Sequence, residues 1–238
     1  KLPEPFTKKA DSRLSFKLNQ AVSAQGQRWT VDLGPEGKPL AQLRALVRDD
    51  QGPTGIDSLQ FAVGAPLVPA TPGIQGDVRM SVIDVDTWRA IANDITSASG
   101  NMGLMTGFLD NSPTAPAVNL KVGIRADRLN IGSKSFEGVS VAARTIENRW
   151  QFDINGKGVD GYVSWVSDKQ RPDGALLARF KTLVIPKTLD SGMRDLVEEP
   201  ASSIPALDVQ VDSFTLNDLV LGKLKLIAVN QTRAEQGS

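Results

Sequence analysis

The sequence predicts a mainly β fold: an extended, curved antiparallel β-sheet, built as a repeating β-groove or meander, with one or two short helices. Two observations predict it. Apolar and polar residues alternate with a period of two along much of the chain, which is the spacing of a strand with one buried face. Glycine, proline and short polar segments interrupt the alternation at close intervals, as hairpin turns do. Because short turns join antiparallel neighbours, a meander is expected.

The first part of the chain contains five alternating segments. In the first of them, Leu14, Phe16 and Leu18 share one side, and charged or polar residues occupy the other. The segment 40–48 fits a helix nearly as well as a strand, and its alternation favours a strand. Three prolines within 66–73 cannot continue a hydrogen-bonded ladder. The five predicted strands are 13–22, 29–33, 40–48, 59–63 and 77–83.

One amphipathic helix is predicted directly after the fifth strand. Trp88, Ile91 and Ile95 fall on one helical face, and either Asp84 or Asp86 is placed to cap the N-terminus. The same two carboxylates also allow an interpretation as a metal or acid/base pair. Helix capping is the simpler explanation, because a carboxylate at this end also interacts favourably with the helix dipole.

The stretch after this helix predicts a boundary. Residues 96–116 are rich in Ser, Gly, Asn and Pro, a composition typical of loops, lids and linkers. The chain is therefore divided into an N-terminal β segment that ends in a short helix, a loop or boundary, and a C-terminal antiparallel β meander. These parts are 1–95, 96–116 and 117–238.

The C-terminal part shows the clearer alternation. Pro186 ends one strand, and the apolar residues between 189 and 197 allow a second short helix. Segments 120–143 and 207–228 share an order of strand, aspartate, leucine-asparagine pair, glycine and strand. This order indicates a repeated hairpin, and coincidence is the alternative explanation for only two copies. The predicted strands are 120–125, 139–144, 150–155, 162–166, 176–185, 207–211 and 224–228.

Composition excludes several functional classes. Lys plus Arg and Asp plus Glu both number 27, so no net charge attracts nucleic acid or an anionic membrane surface. Histidine and cysteine are both absent, which rules out Cys/His zinc sites, thiol nucleophiles and a Ser-His-Asp triad. We therefore expect no enzyme activity, no catalytic residue, no metal and no cofactor. An enzyme that uses carboxylates alone, at Asp84 and Asp86, is the remaining catalytic alternative.

A glycine-rich segment suggests one further class, the dinucleotide-binding proteins. Gly156 to Gly161 matches the G-x-G-x-x-G pattern of dinucleotide-binding proteins. That pattern requires a helix after the glycines, and the residues that follow predict a strand instead. The segment is therefore predicted to be a hairpin.

Several short segments carry a family resemblance. They are 85–89, 150–154, 161–165, 177–180, 183–186, 204–208 and 221–224. Together they resemble the YhdP family of AsmA-like proteins, and the resemblance covers most of the chain from about residue 29 onward.

The resemblance implies a location and a role. Members of this family resemble TamB and other bridge-like envelope proteins, in which an N-terminal helix anchors a long chain in the inner membrane. Their periplasmic part is a repeated β groove implicated in phospholipid movement between the inner and outer membranes and in maintenance of the outer-membrane barrier. The chain, which begins abruptly, would be an interior periplasmic fragment with that anchor outside it. Its implied partners are phospholipid acyl chains and the remainder of its own full-length protein.

Two hypotheses follow for the apolar side of the predicted sheet. In the first, aliphatic and aromatic side chains line a groove and shield acyl chains from water. In the second, the same side chains form the closed core of a structural scaffold or protein-interaction module of the envelope. The predicted lipid-facing residues are Leu120, Val122, Ile124, Val139, Val141, Trp150, Phe152, Ile154, Leu207, Val209 and Val211.

Overall fold

The computed structural model of this protein contains twelve strands and one helix in the residues that it describes. The described residues are 6, 13–35, 37–48, 55–98, 119–146, 149–168, 171–186 and 206–228. In chain order the elements are β1 (Ser15–Ser23), β2 (Gly26–Gly34), β3 (Ala41–Val47), β4 (Ile56–Val63), β5 (Gly73–Asp84), α1 (Val85–Ala98), β6 (Leu120–Ile131), β7 (Lys134–Ile146), β8 (Arg149–Gly156), β9 (Val159–Asp168), β10 (Arg171–Ile185), β11 (Ala206–Leu216) and β12 (Leu219–Ala228).

All twelve strands form one sheet, and their order in the sheet is their order in the chain. The mainly β prediction is confirmed, and each predicted strand segment lies within or overlaps one observed strand. The segment 40–48, which also fitted a helix, contains β3. The glycine-rich segment is a hairpin, because Gly156 at the end of β8 pairs with Val159 at the start of β9.

The sheet is mixed rather than antiparallel throughout. Among the described strands, eight neighbouring pairs are antiparallel, and β4–β5, β5–β6 and β10–β11 are parallel. Parallel neighbours cannot be joined by a tight hairpin turn, because the chain must return to the same end of the sheet. The three parallel pairs accordingly occur where the chain makes longer connections, at 64–72, 85–119 and 186–205.

The helix begins where its capping residue predicts. The backbone N–H of Thr87 donates to Oδ1 of Asp84 at 2.8 Å, so Asp84 is the N-cap. Asp86 has a different role, since its Oδ2 accepts a hydrogen bond from the backbone N–H of Gly132 at 2.6 Å. This bond ties the start of α1 to the turn between β6 and β7.

Two sequence predictions fall largely outside the described residues. Most of the boundary predicted at 96–116 lies there, and so does the possible second helix between 189 and 197. The division of the chain into two β parts therefore stays a prediction. The proposed repeat corresponds to two hairpins, β6–β7 and β11–β12, and each of them follows a parallel pair of strands.

The sheet is a single layer with a thin core. Every substantial contact between described strands joins neighbours in the sheet, and α1 makes much smaller contacts, with β5 and β6. Nearly half of the buried apolar residues are alanines: Ala45, Ala62, Ala126, Ala143 and Ala178. Larger apolar side chains mostly remain partly exposed. Within the described part of the chain, no helix has the length and apolar character needed to cross a membrane.

Candidate functional site: the apolar face of the sheet

The register of the sheet aligns apolar positions from every described strand into continuous rows. Residues that pair across neighbouring strands point to the same face, and the next residue along each strand points to the opposite face. The central row is Leu18, Val31, Leu43, Phe61, Gly76, Val122, Ala143, Phe152, Val163, Ala178, Val209 and Leu226.

A second row runs beside it, two residues away along each of the twelve described strands. It consists of Phe16, Leu33, Ala41, Val63, Val78, Ile124, Val141, Ile154, Gly161, Phe180, Val211 and Leu224. Neither row contains a charged or hydrogen-bonding side chain. We call the face that carries these two rows the apolar face.

The opposite face, called here the polar face, has the reverse character. Its central row lies one residue away from the rows of the apolar face. It consists of Lys17, Asp32, Gln42, Ala62, Asp77, Gly123, Ala142, Asp153, Tyr162, Arg179, Gln210 and Lys225. Large aliphatic side chains are absent from this row, so the contrast between these three rows extends across all twelve described strands.

The structure brings all eleven predicted lipid-facing residues to the apolar face. Seven belong to the two rows: Val122, Phe152, Val209, Ile124, Val141, Ile154 and Val211. Leu120, Trp150 and Leu207 lie two residues from central-row members, and Val139 lies two residues from Val141. An even separation on a strand keeps a side chain on the same face. Whether these residues meet lipid stays a prediction.

The predicted site omitted the first five strands, although their alternation also indicates one apolar side on each strand. Phe61 on β4 and Val78 on β5 belong to the same face as Val122 on β6, through an unbroken series of paired residues. Period-two alternation locates an apolar side on each strand separately. It does not reveal that the apolar sides of distant strands coincide, because that depends on register.

Exposure along the apolar face falls from the edges of the sheet toward its interior. Phe16 on β1 is 65% exposed and Leu226 on β12 is 48% exposed, whereas Ala178 on β10 is 3% exposed. Edge residues lack a neighbour on one side, which explains the difference. Toward the middle, Ile74, Leu120 and Ala143 form a buried cluster against Phe61 and other partly buried neighbours.

Aromatic rings cover glycines within the rows. A methyl group added at Gly76 would overlap the ring of its paired residue Phe61, and one added at Gly161 would overlap the ring of Phe180. The rings of Trp150 and Phe152 are stacked, with centroids 6.1 Å apart and planes 8° apart. The rings that lie over Gly76 and Gly161 fill the space that each glycine leaves, and together with the stacked pair they keep the surface continuous and apolar.

Several charged groups of the sheet form ion pairs on the polar face. Arg144 binds Asp153 at 3.0 Å, and Arg179 binds Asp208 at 2.8 Å. Hydrogen bonds lower the pKa of three carboxyls: the backbone N–H of Thr87 acts on Asp84, the ammonium of Lys157 on Glu137 and the guanidinium of Arg179 on Asp208. Among the described residues, no group of three or more acidic, His or Cys side chains is placed to hold a metal ion. The two rows of the apolar face therefore offer apolar contact.

Comparison with known proteins gives one match. The model of a protein family described as YhdP protein matches residues 1–236, which is nearly the whole chain. No curated protein and no solved structure matches the chain.

Proposed function

The chain belongs to the YhdP family, a family of AsmA-like envelope proteins, and we propose that its apolar face is a groove segment that carries phospholipid acyl chains through the periplasm. On this proposal the segment acts without catalysis. It forms part of a path between the inner and outer membranes, and the parent protein is anchored in the inner membrane.

One observation carries the proposal: two parallel rows of twelve positions each contain only apolar residues and glycine. Strands lie about 4.8 Å apart, so a row across twelve strands is about 50 Å long. One acyl chain spans about 15 Å, half of the hydrocarbon thickness of a bilayer. A chain laid along a row therefore meets no charge over its whole length.

The energetics favour an acyl chain over water on this face. Each CH₂ group removed from water contributes about 0.8 kcal/mol, and the larger side chains of the rows retain part of their exposed surface. Contact is available at every strand, because no described strand packs across the apolar face. Uniform contact of this kind favours movement along the rows, since no position binds the chain much more tightly than the next.

Site-specific photo-crosslinking in cells tests the proposal. A photoreactive residue at Val122 or Val209 is expected to capture phospholipid. The matched controls are Lys121 and Gln210, which are the adjacent residues on the polar face. Capture from the controls alone would reverse the assignment of the faces. Capture of protein rather than lipid at Val122 and Val209 would identify the apolar face as the closed core of a scaffold or interaction module.

Native mass spectrometry supplies an independent measurement. The purified chain is expected to carry phospholipid whose signal disappears after extraction with detergent. A chain that repeatedly purifies without lipid, and whose rows give no crosslink in cells, would contradict the proposal.

A further inference from the structure

The polar face contains a cleft that the proposed groove does not use. Its volume is about 1050 Å³, and it lies over β5 to β9. Val68, Pro69 and Thr71, from the connection between β4 and β5, form one wall, and Tyr162 on β9 lies at the other end. The cleft is therefore open to solvent on the side of the sheet opposite to the apolar face.

The centre of the cleft floor carries only a glycine and an alanine. Gly123 on β6 pairs with Ala142 on β7, and these two residues lie between Asp77 on β5 and Asp153 on β8. A Cβ atom at Gly123 would have no atom within 4 Å, and the backbone there does not have a positive φ. The glycine is therefore required neither by the backbone conformation nor by packing, and its effect is to leave space above the sheet.

Cations surround this floor in an arrangement that is unfavourable for folding. Lys121 pairs directly with Arg144, and Arg79 pairs directly with Arg125. Like charges at directly opposed positions destabilise a sheet. Two such pairs lie on either side of Gly123. In each pair one arginine is bound to an aspartate, and an anion placed between the pairs would supply a counter-charge to the other cation.

The acidic residues that line the cleft do not cancel this charge, because each is already paired. Lys121 and Arg125 form no ion pair with any described residue and are both exposed. The paired carboxylates and their partners are Asp77 with Arg79 at 3.0 Å, Asp153 with Arg144 at 3.0 Å, and Asp160 with Lys181 at 3.7 Å. Two uncompensated positive charges therefore remain, one on each side of Gly123.

We infer that the cleft binds a small phosphate-bearing ligand, seated over Gly123 between Lys121 and Arg125. The two Cα atoms lie about 13 Å apart on an extended strand, so both long side chains reach a group placed midway between them. The hydroxyl of Ser140, which also lines the cleft, and the amide of Asn155 supply polar contacts for the rest of the ligand. The volume is near the upper end for a small-molecule site.

A small soluble ligand fits this cleft better than a membrane surface does. The chain has 27 basic and 27 acidic residues, so no net charge draws it to an anionic bilayer.

Titration of the chain with glycerol 3-phosphate, followed by NMR, tests this site. Saturable shifts are expected at the amides of Gly123 and Ala142, and sodium chloride at equal ionic strength is not expected to reproduce them. Replacing Lys121 and Arg125 together by Gln is expected to weaken binding about tenfold or more, because two charge-assisted contacts are lost.

Two further variants separate a built site from general charge effects. Gly123→Val fills the floor at a position where a β-branched residue suits the strand, so it is expected to abolish binding while stability is kept or raised. Lys223→Gln, on β12 outside the cleft, removes one positive charge and is expected to leave binding unchanged.

The inference is overturned if glycerol 3-phosphate produces no saturable shift, or if Gly123→Val binds as tightly as the original chain. Equal weakening by Lys223→Gln and by the double replacement of Lys121 and Arg125 would also overturn it. If the chain instead co-sediments with phosphatidylglycerol vesicles in a manner that requires Lys121 and Arg125, the occupant is a membrane surface and the inference of a small ligand is wrong. These outcomes do not depend on lipid at the apolar face.

Discussion

The guanidinium of Arg179 on β10 binds the carboxylate of Asp208 on β11 through both of its terminal nitrogens, at 3.0 and 2.8 Å. Nη1 of Arg179 also donates to the backbone carbonyl of Asp208 at 2.9 Å. The two strands are parallel and are joined by the connection 186–205. A two-point ion pair fixes both distance and angle, so it clamps one of the three parallel junctions of the sheet.

The clamp predicts a loss of stability in acid. The hydrogen bond from Arg179 lowers the pKa of Asp208 in the folded chain. A carboxyl whose pKa is lowered by folding stabilises the fold above its unfolded pKa, about 3.9 for Asp. That contribution disappears as the pH falls through the folded pKa.

Urea unfolding of the original chain and of Asp208→Asn, at pH 7 and at pH 3, measures this contribution. The difference in unfolding midpoint between the two chains is expected to be larger at pH 7 than at pH 3. A difference that is independent of pH would show that the Asp208 carboxylate does not stabilise the junction through its charge.

Aromatic cover of glycine predicts a specific steric sensitivity on the apolar face. Gly76→Ala is expected to lower the free energy of unfolding by about 1–3 kcal/mol, because the added methyl group overlaps the ring of Phe61. Gly123→Ala is the matched control, since it adds the same group on the next strand where no atom lies within 4 Å.

A double-mutant cycle identifies the cause of that loss. Combining Gly76→Ala with Phe61→Leu is expected to recover part of the stability, because the ring is removed. Strictly additive effects of the two substitutions would show that the ring is not what excludes a side chain at this position.

The N-cap predicts different roles for two nearby carboxylates. Asp84→Ala is expected to cost about 0.5–2 kcal/mol of stability and to reduce helix content, whereas Asp84→Asn retains a capping oxygen and is expected to cost less. Circular dichroism and urea unfolding measure both effects. Asp84 caps the helix, whereas Asp86 binds the backbone N–H of Gly132. If Asp84→Ala and Asp86→Ala reduce helix content equally, this difference in contacts is not energetically important.

A charge placed on the apolar face is expected to reduce lipid binding without unfolding the sheet. Leu226 and Ile227 are adjacent on β12, 48% and 57% exposed, and lie on opposite faces. Leu226→Asp is expected to lower co-purified phospholipid about tenfold, since losing two buried CH₂ groups costs about 1.6 kcal/mol. Ile227→Asp introduces the same charge on the polar face and is expected to retain lipid. Equal retention by both variants would count against lipid on the apolar face.

The strands were predictable because their signal is local. In 40–48 and in 59–63, alternation alone located β3 and β4, and Asp84 was identified as one of two possible caps. The parallel pairing of β4 with β5 was not predictable, because the three prolines in 66–73 end a ladder without specifying where the chain goes next. The contact between Asp86 and Gly132 joins residues far apart in sequence, so no local pattern indicates it.

The candidate site was predictable strand by strand and not as a whole. Val122 and Val209 were assigned to an apolar side from their own strands. That both belong to one row with Phe61 and Leu18 depends on ten successive registers, each of which would exchange the faces if it slipped by one residue. The ring of Phe61 covers Gly76, whereas the space above Gly123 is open. This difference is visible only in three dimensions.

The two unbroken rows also limit how the sequence is able to change in length. Deleting one residue within a strand moves every later side chain of that strand to the wrong surface, whereas deleting two restores the pattern. The pairing of β10 with β9 shows how the sheet accommodates one extra residue. Phe180 pairs with Gly161 and Thr182 pairs with Asp160, so Lys181 is the extra residue of a bulge. Parity, more than the identity of any single side chain, is therefore what this sheet must conserve.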